Sequence, residues 1–143
     1  MWALIFIACS SSEQSGDQFL TEAERNAPLP DEVQTSSGPV LGTETDGIRA
    51  FQGIPFASPP TGERRFAPPV TVEPWTAALP ADRFGTACMQ SERLLEGERS
   101  EDCLNLNVWA PNRMEPKPVM VWIYGGAFSL GTANVDAYNG RNL

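Results

Sequence analysis

The sequence has 143 residues, ten Lys and Arg against eighteen Asp and Glu for a net charge of −8, and no histidine. So acidic a chain, with Arg64-Arg65 as its lone basic pair, excludes a nucleic-acid binder. The missing histidine excludes a His-ligated metal site and a self-contained Ser-His-Asp triad, and three cysteines are too few for a structural zinc by themselves.

Met1 to Ala8 is an unbroken apolar run. A membrane-spanning helix needs about 20 such residues, so the run is too short to cross a bilayer but suits the apolar region of a secretory signal. Cys9 and Ser10-Ser11-Ser12 follow, a pattern that resembles a bacterial lipoprotein signal in which Cys9 carries the lipid. An ordinary secretory signal or a buried N-terminal strand fits the same run. Residues 9–32 read as a flexible acidic linker. Between Glu13 and Glu32 six acids face Arg25 alone, so five of the eight net negative charges belong to this segment. It holds too few large apolar residues to offset its ordering entropy. The expectation is an exported protein, periplasmic or at the cell surface, held to the membrane through Cys9.

From Val33 the chain changes character. Val33–Ser36, Val40–Thr43 and Ile48–Ile54 are strand-like, and Asp46-Gly47 marks a tight turn, which together predict an antiparallel meander. Pro55 to Pro80 holds seven prolines in 26 residues, too many for a helix or a central strand. It is an irregular loop, and Phe56, Phe66 and Trp75 favour an ordered one. Leu104–Trp109 alternates, giving one apolar and one polar face. Val119–Tyr124 is continuously apolar after Pro118, the pattern of a strand buried on both faces in a parallel sheet.

That strand ends at Gly125-Gly126-Ala127-Phe128. Glycine leaves backbone N–H groups free to point into a cavity, and two amides aimed at one point are what a developing oxyanion requires. A plain turn has the same sequence. Ala127-Phe128-Ser129-Leu130-Gly131 has the spacing of a nucleophile elbow with alanine for the first glycine. Ser129 is nevertheless a poor nucleophile candidate, because the Gly125-Gly126 turn precedes it and no convincing helix start follows. Glu101-Asp102 is a bare acid/base candidate, but adjacent strand residues point to opposite faces.

Several segments together resemble the type-B carboxylesterase family, which includes cholinesterases and bacterial para-nitrobenzyl esterases. They are Arg49–Ala57 with Pro59-Pro60, Gly62–Phe66, Pro74-Trp75, Ala87–Gln90, Glu101–Val108 and Pro118–Phe128, in matching order over Val33–Leu143. The resemblance implies an α/β fold, the N-terminal part of an α/β-hydrolase, whose antiparallel first strands lead into a central, mostly parallel sheet. It implies a serine esterase acting on a small-molecule carboxylic ester without a cofactor or metal. Gly126 and Ala127 would supply oxyanion-hole amides supported by Gly125, Cys88 and Cys103 a disulfide, and Arg65 and Glu101 a structural ion pair. Free thiols are the alternative for the cysteines. The nucleophile, acid and histidine of the family would lie beyond Leu143, so the chain reads as an N-terminal fragment, inactive alone. Two other readings stand beside it: an inactive esterase-like interaction module, and a piece that complements a separately encoded remainder.

Overall fold

Between Asp31 and Pro55 the chain folds back wherever a turn residue permits. In the computed structural model, which describes residues 21–23, 29–91 and 98–142, β1 (Glu32–Gln34) runs antiparallel to β2 (Pro39–Leu41) with Val33 opposite Val40. The Thr35 hydroxyl oxygen accepts the N–H groups of Ser37 and Gly38, both at 3.2 Å, and so closes the connection. β3 (Thr43–Thr45) and β4 (Ile48–Pro55) form a hairpin in which Asp46 and Gly47 take φ 54° and 78°. Positive φ at both positions is what a two-residue turn needs to match the twist of its strands. The Asp46-Gly47 turn is as expected, but the strands form two separate antiparallel pairs rather than one meander, because β2 pairs with β1 and with Leu79–Pro80 while, among the described residues, β3 pairs only with β4. Met1–Ala8 and Cys9 lie outside the described residues.

On its other side β4 pairs antiparallel with β8 (Asn105–Pro111), placing Phe51 opposite Val108 and Ile54 opposite Leu106. The register slips between those pairs at a bulge containing Gly53. Two short parallel pairs complete the sheets: β5 (Leu79–Pro80) beside β2, and β6 (Ala87–Cys88) beside β7 (Arg99–Ser100).

The proline-rich stretch is irregular, with one 3-10 turn at Gly62–Arg64. Trp75 orders it: its indole N–H donates to the Pro39 carbonyl at 2.7 Å and its ring packs on the core of Val40, Phe51 and Ala81. Phe66 contributes nothing to that ordering, since it is fully exposed. Val33, Ile54 and Leu79 complete the cluster, so the core lies between the two three-stranded sheets.

One expected element is missing. Val119–Tyr124 forms no strand, and Val119 to Ile123 are 63–87 % exposed. A strand takes its hydrogen bonds from its neighbours, and no described strand lies beside these residues. The continuous apolar run therefore does not make a strand here, because it has no ladder to join among the described residues. β8 shows weaker exposure of the same kind. Its Leu106 and Val108 are 39 % and 41 % exposed, whereas its asparagines turn toward the protein.

Candidate active site

The glycine loop turns on the Gly126 carbonyl, which accepts the N–H groups of Ser129 at 3.0 Å and Leu130 at 3.2 Å. Gly126 sits at φ 149°, and a Cβ there would collide with the Leu130 carbonyl, so the tight return requires glycine. Ala127 and Phe128 follow at φ 53° and 59°, two consecutive left-handed residues with side chains. Such backbone is costly for L-residues. The amides of Gly126 and Ala127 donate to no backbone carbonyl among the described residues.

A polar framework holds the far side of this loop. The Gln90 side chain accepts the Gly131 N–H at 2.7 Å and donates to the Gly131 carbonyl at 2.9 Å and the Cys88 carbonyl at 3.1 Å. Asn134 donates to the Gly85 carbonyl at 2.8 Å and accepts from Asn107 at 3.1 Å. Asn107 in turn accepts the Gly53 N–H at 2.9 Å, which links the β4 bulge to the segment after the loop. Gln90, Asn107 and Asn134 were not legible as a set. The alternation of Leu104–Trp109 marked the asparagine side as polar, but a polar face reads as solvated unless its partners are known.

Cys88 and Cys103 form a disulfide, with sulfurs 2.01 Å apart, spanning 15 positions of sequence. The structure brings Arg65 and Glu101 together at 2.8 Å. With their side chains 55 % and 37 % exposed, solvent screening leaves this pair little energetic weight. Arg65 also lies over the Phe66 ring, 5.6 Å from its centre.

The two weak catalytic candidates find no chemistry here. The Ser129 hydroxyl donates to the Gly126 carbonyl at 3.2 Å, and no base stands beside it among the described residues. Glu101 and Asp102 follow β7 in a bend rather than lying within a strand. They still do not act together: Glu101 faces Arg65, while the exposed Asp102 uses its backbone N–H on Ser100 at 3.0 Å. At Asp82 a hydrogen bond from Arg83 holds the carboxyl below its ordinary range, and this exposed pair does not touch the loop. An apolar depression of about 290 Å³ borders Phe56, Ser58, Arg64, Val70 and Leu104, and none of its lining residues belongs to the loop. No group of three His, Cys, Asp or Glu among the described residues is arranged to hold a metal, and no described helix is long and apolar enough to cross a membrane.

Comparison with known proteins gives this geometry its setting. Residues 30–143 match the carboxylesterase family. The chain is 45 % identical over 115 residues to the fumonisin B1 esterase of Sphingopyxis macrogoltabida, covering 76 % of this chain and 21 % of that protein. It is 42 % identical over 118 residues to the para-nitrobenzyl esterase of Bacillus subtilis, covering 78 % and 24 %. The solved structure of a thermophilic para-nitrobenzyl esterase superposes with a TM-score of 0.75 at 42 % identity, over 78 % of this chain and 25 % of that one. The chain thus spans about a fifth to a quarter of the length of the curated relatives it matches.

Proposed function

The chain belongs to the carboxylesterase family, and from that premise we propose that it is the N-terminal portion of an α/β-hydrolase that cleaves small-molecule carboxylic esters. Its part in the reaction is to hold the oxyanion. The observation that carries this reading is the pair of Gly126 and Ala127 amides, which donate to no described backbone carbonyl and occupy a loop whose backbone is tied down behind them.

A serine supplied from outside residues 1–143 attacks the ester carbonyl, and a histidine takes the serine proton and passes it to the leaving alkoxide. As the carbonyl becomes tetrahedral, negative charge moves onto its oxygen. Preset amides need no reorganisation at that moment, and losing one such donor in a serine hydrolase costs about 10²–10³ in kcat. Water then releases the acyl group by the reverse sequence. Without a histidine this chain has no general base of that kind, so alone it is inactive.

The test replaces the matching segment of the Bacillus subtilis para-nitrobenzyl esterase with residues 30–143. A cooperatively melting hybrid that hydrolyses para-nitrophenyl acetate supports the reading, and a folded but inactive hybrid overturns it. The isolated chain should release no para-nitrophenolate above buffer; saturable release would reinstate Ser129. The exposure of Val119–Ile123 favours a second reading, in which the chain completes a separately supplied remainder. Mixing it with the rest of the Bacillus enzyme and recovering hydrolysis would distinguish that case.

For residues 1–32 the proposal is an export signal over 1–8, a lipid on Cys9 and an acidic tether over 9–32 that holds the catalytic portion, from residue 33, outside the cytoplasm. Palmitate labelling that Cys9→Ser abolishes is the expected result, and undiminished labelling of that variant removes Cys9 as the anchor.

A further inference from the structure

Gln90 takes no part in ester chemistry as derived above, yet both ends of its primary amide are engaged. The Oε1 atom accepts the Gly131 N–H at 2.7 Å, and Nε2 donates to the Gly131 carbonyl at 2.9 Å and the Cys88 carbonyl at 3.1 Å. Two carbonyls can only accept and an N–H can only donate, so the partners themselves fix which end of the amide is which. No other neutral side chain of this length offers one acceptor and two donors in a plane. Both polar groups of Gly131 are therefore held by a residue 41 positions earlier in the chain.

Gly131 closes the glycine loop. It follows Leu130, whose N–H is bonded to the Gly126 carbonyl, and it packs so closely on the start of the loop that a Cβ would stand 2.5 Å from the Gly125 carbonyl. Three residues on, Asn134 is bonded to Gly85 at 2.8 Å, so the outgoing chain is pinned on both sides of Cys88, at Gly85 and at Gln90. On the incoming side Val119–Ile123 are exposed and make no such hydrogen bonds among the described residues, their one ring contact being Trp122 on Tyr138 with centres 5.6 Å apart. The hydrogen bonds that hold the loop to the rest of the described residues therefore lie at its Gly131 end.

We propose that Gln90 is a positioning residue for the oxyanion loop: its clamp on Gly131, anchored beside the Cys88–Cys103 disulfide, fixes the direction of the Gly126 and Ala127 amides. The inference rests on the ester-hydrolysis reading for its consequence in catalysis, but not for the clamp itself. Gln90→Met keeps the length and volume of the side chain while removing every hydrogen bond.

The first measurement is residue-resolved amide exchange on the full 143-residue chain. Loss of the clamp should speed Gly131 exchange by about tenfold, leave the β4 and β8 amides unchanged, and speed exchange at Gly126 and Ala127 only where those amides are protected. An unprotected Gly131 in the unsubstituted chain, or equal protection in both proteins, overturns the clamp. The second measurement uses the Bacillus hybrid described above. There Gln90→Met should lower kcat per folded enzyme by roughly ten- to a hundredfold with KM changed less than about twofold, as misdirected transition-state donors require. A lower melting temperature with kcat unchanged would make Gln90 merely structural and sink the positioning role. A hybrid inactive with Gln90 intact would instead defeat the ester-hydrolysis reading and leave the exchange result to judge the clamp.

Discussion

At Gly126 the space beyond Cα is already filled by the Leu130 carbonyl, while at Ala127 a methyl group is accommodated despite φ 53°. The two positions should therefore respond in opposite ways. In the Bacillus hybrid Gly126→Ala is expected to cut kcat by about 10²–10³, because the loop must open and misdirect its donors. Ala127→Gly retains the N–H and relieves left-handed strain, so kcat should stay within about threefold. Steady-state kinetics with para-nitrophenyl acetate reads both, and equal losses would show that the amides do not act separately. The Gly-Gly pair was visible in sequence as a point of backbone freedom. The direction of that freedom was not, because it depends on Leu130, Gly131 and Gln90 standing where the tertiary fold puts them.

Among the elements, the proline-rich connection and the disulfide loop do most to hold the irregular half of the chain. Trp75→Ala removes both its packing on Val40, Phe51 and Ala81 and its bond to Pro39, and should cost about 3–5 kcal/mol. Trp75→Phe keeps most of the packing but strands the Pro39 carbonyl, for about 1–2 kcal/mol. Urea unfolding of the two variants separates these contributions, and equal midpoints would deny the hydrogen bond any weight. The Cys88→Ser/Cys103→Ser variant frees a loop spanning 15 positions and should lose about 3 kcal/mol in the same assay. Seven prolines told of irregularity here, but which aromatic residue would order the stretch was a matter of reach: Trp75 meets the core, and Phe66 points into solvent.

The molecule as a whole shows an imbalance. Val119–Ile123 presents five consecutive apolar residues to water, a pattern that invites pairing with another chain. Val121→Lys should abolish concentration-dependent association of the isolated chain in light scattering, while moving its stability by no more than about 0.5 kcal/mol. In the Bacillus hybrid the same lysine would be buried in the sheet and should prevent folding. If the hybrid tolerates it, Val119–Tyr124 is not an interior strand.

The sequence by itself determined the family, the Asp46-Gly47 hairpin, the irregularity of the proline-rich stretch and the position of the glycine loop. Each of these depends on local conformational preference, or on a run of residue types that identifies relatives without coordinates. The tertiary structure decided which face of β8 turns inward, how Trp75 organises its loop, and that Gln90 and Asn134 hold the segment after Gly126 from two points. Those outcomes depend on groups 36 to 49 positions apart meeting at hydrogen-bond distance, which no local pattern encodes. Val119–Tyr124 marks the boundary between the two kinds of information. Its composition is that of an interior strand, but a strand exists only where neighbouring strands satisfy its backbone.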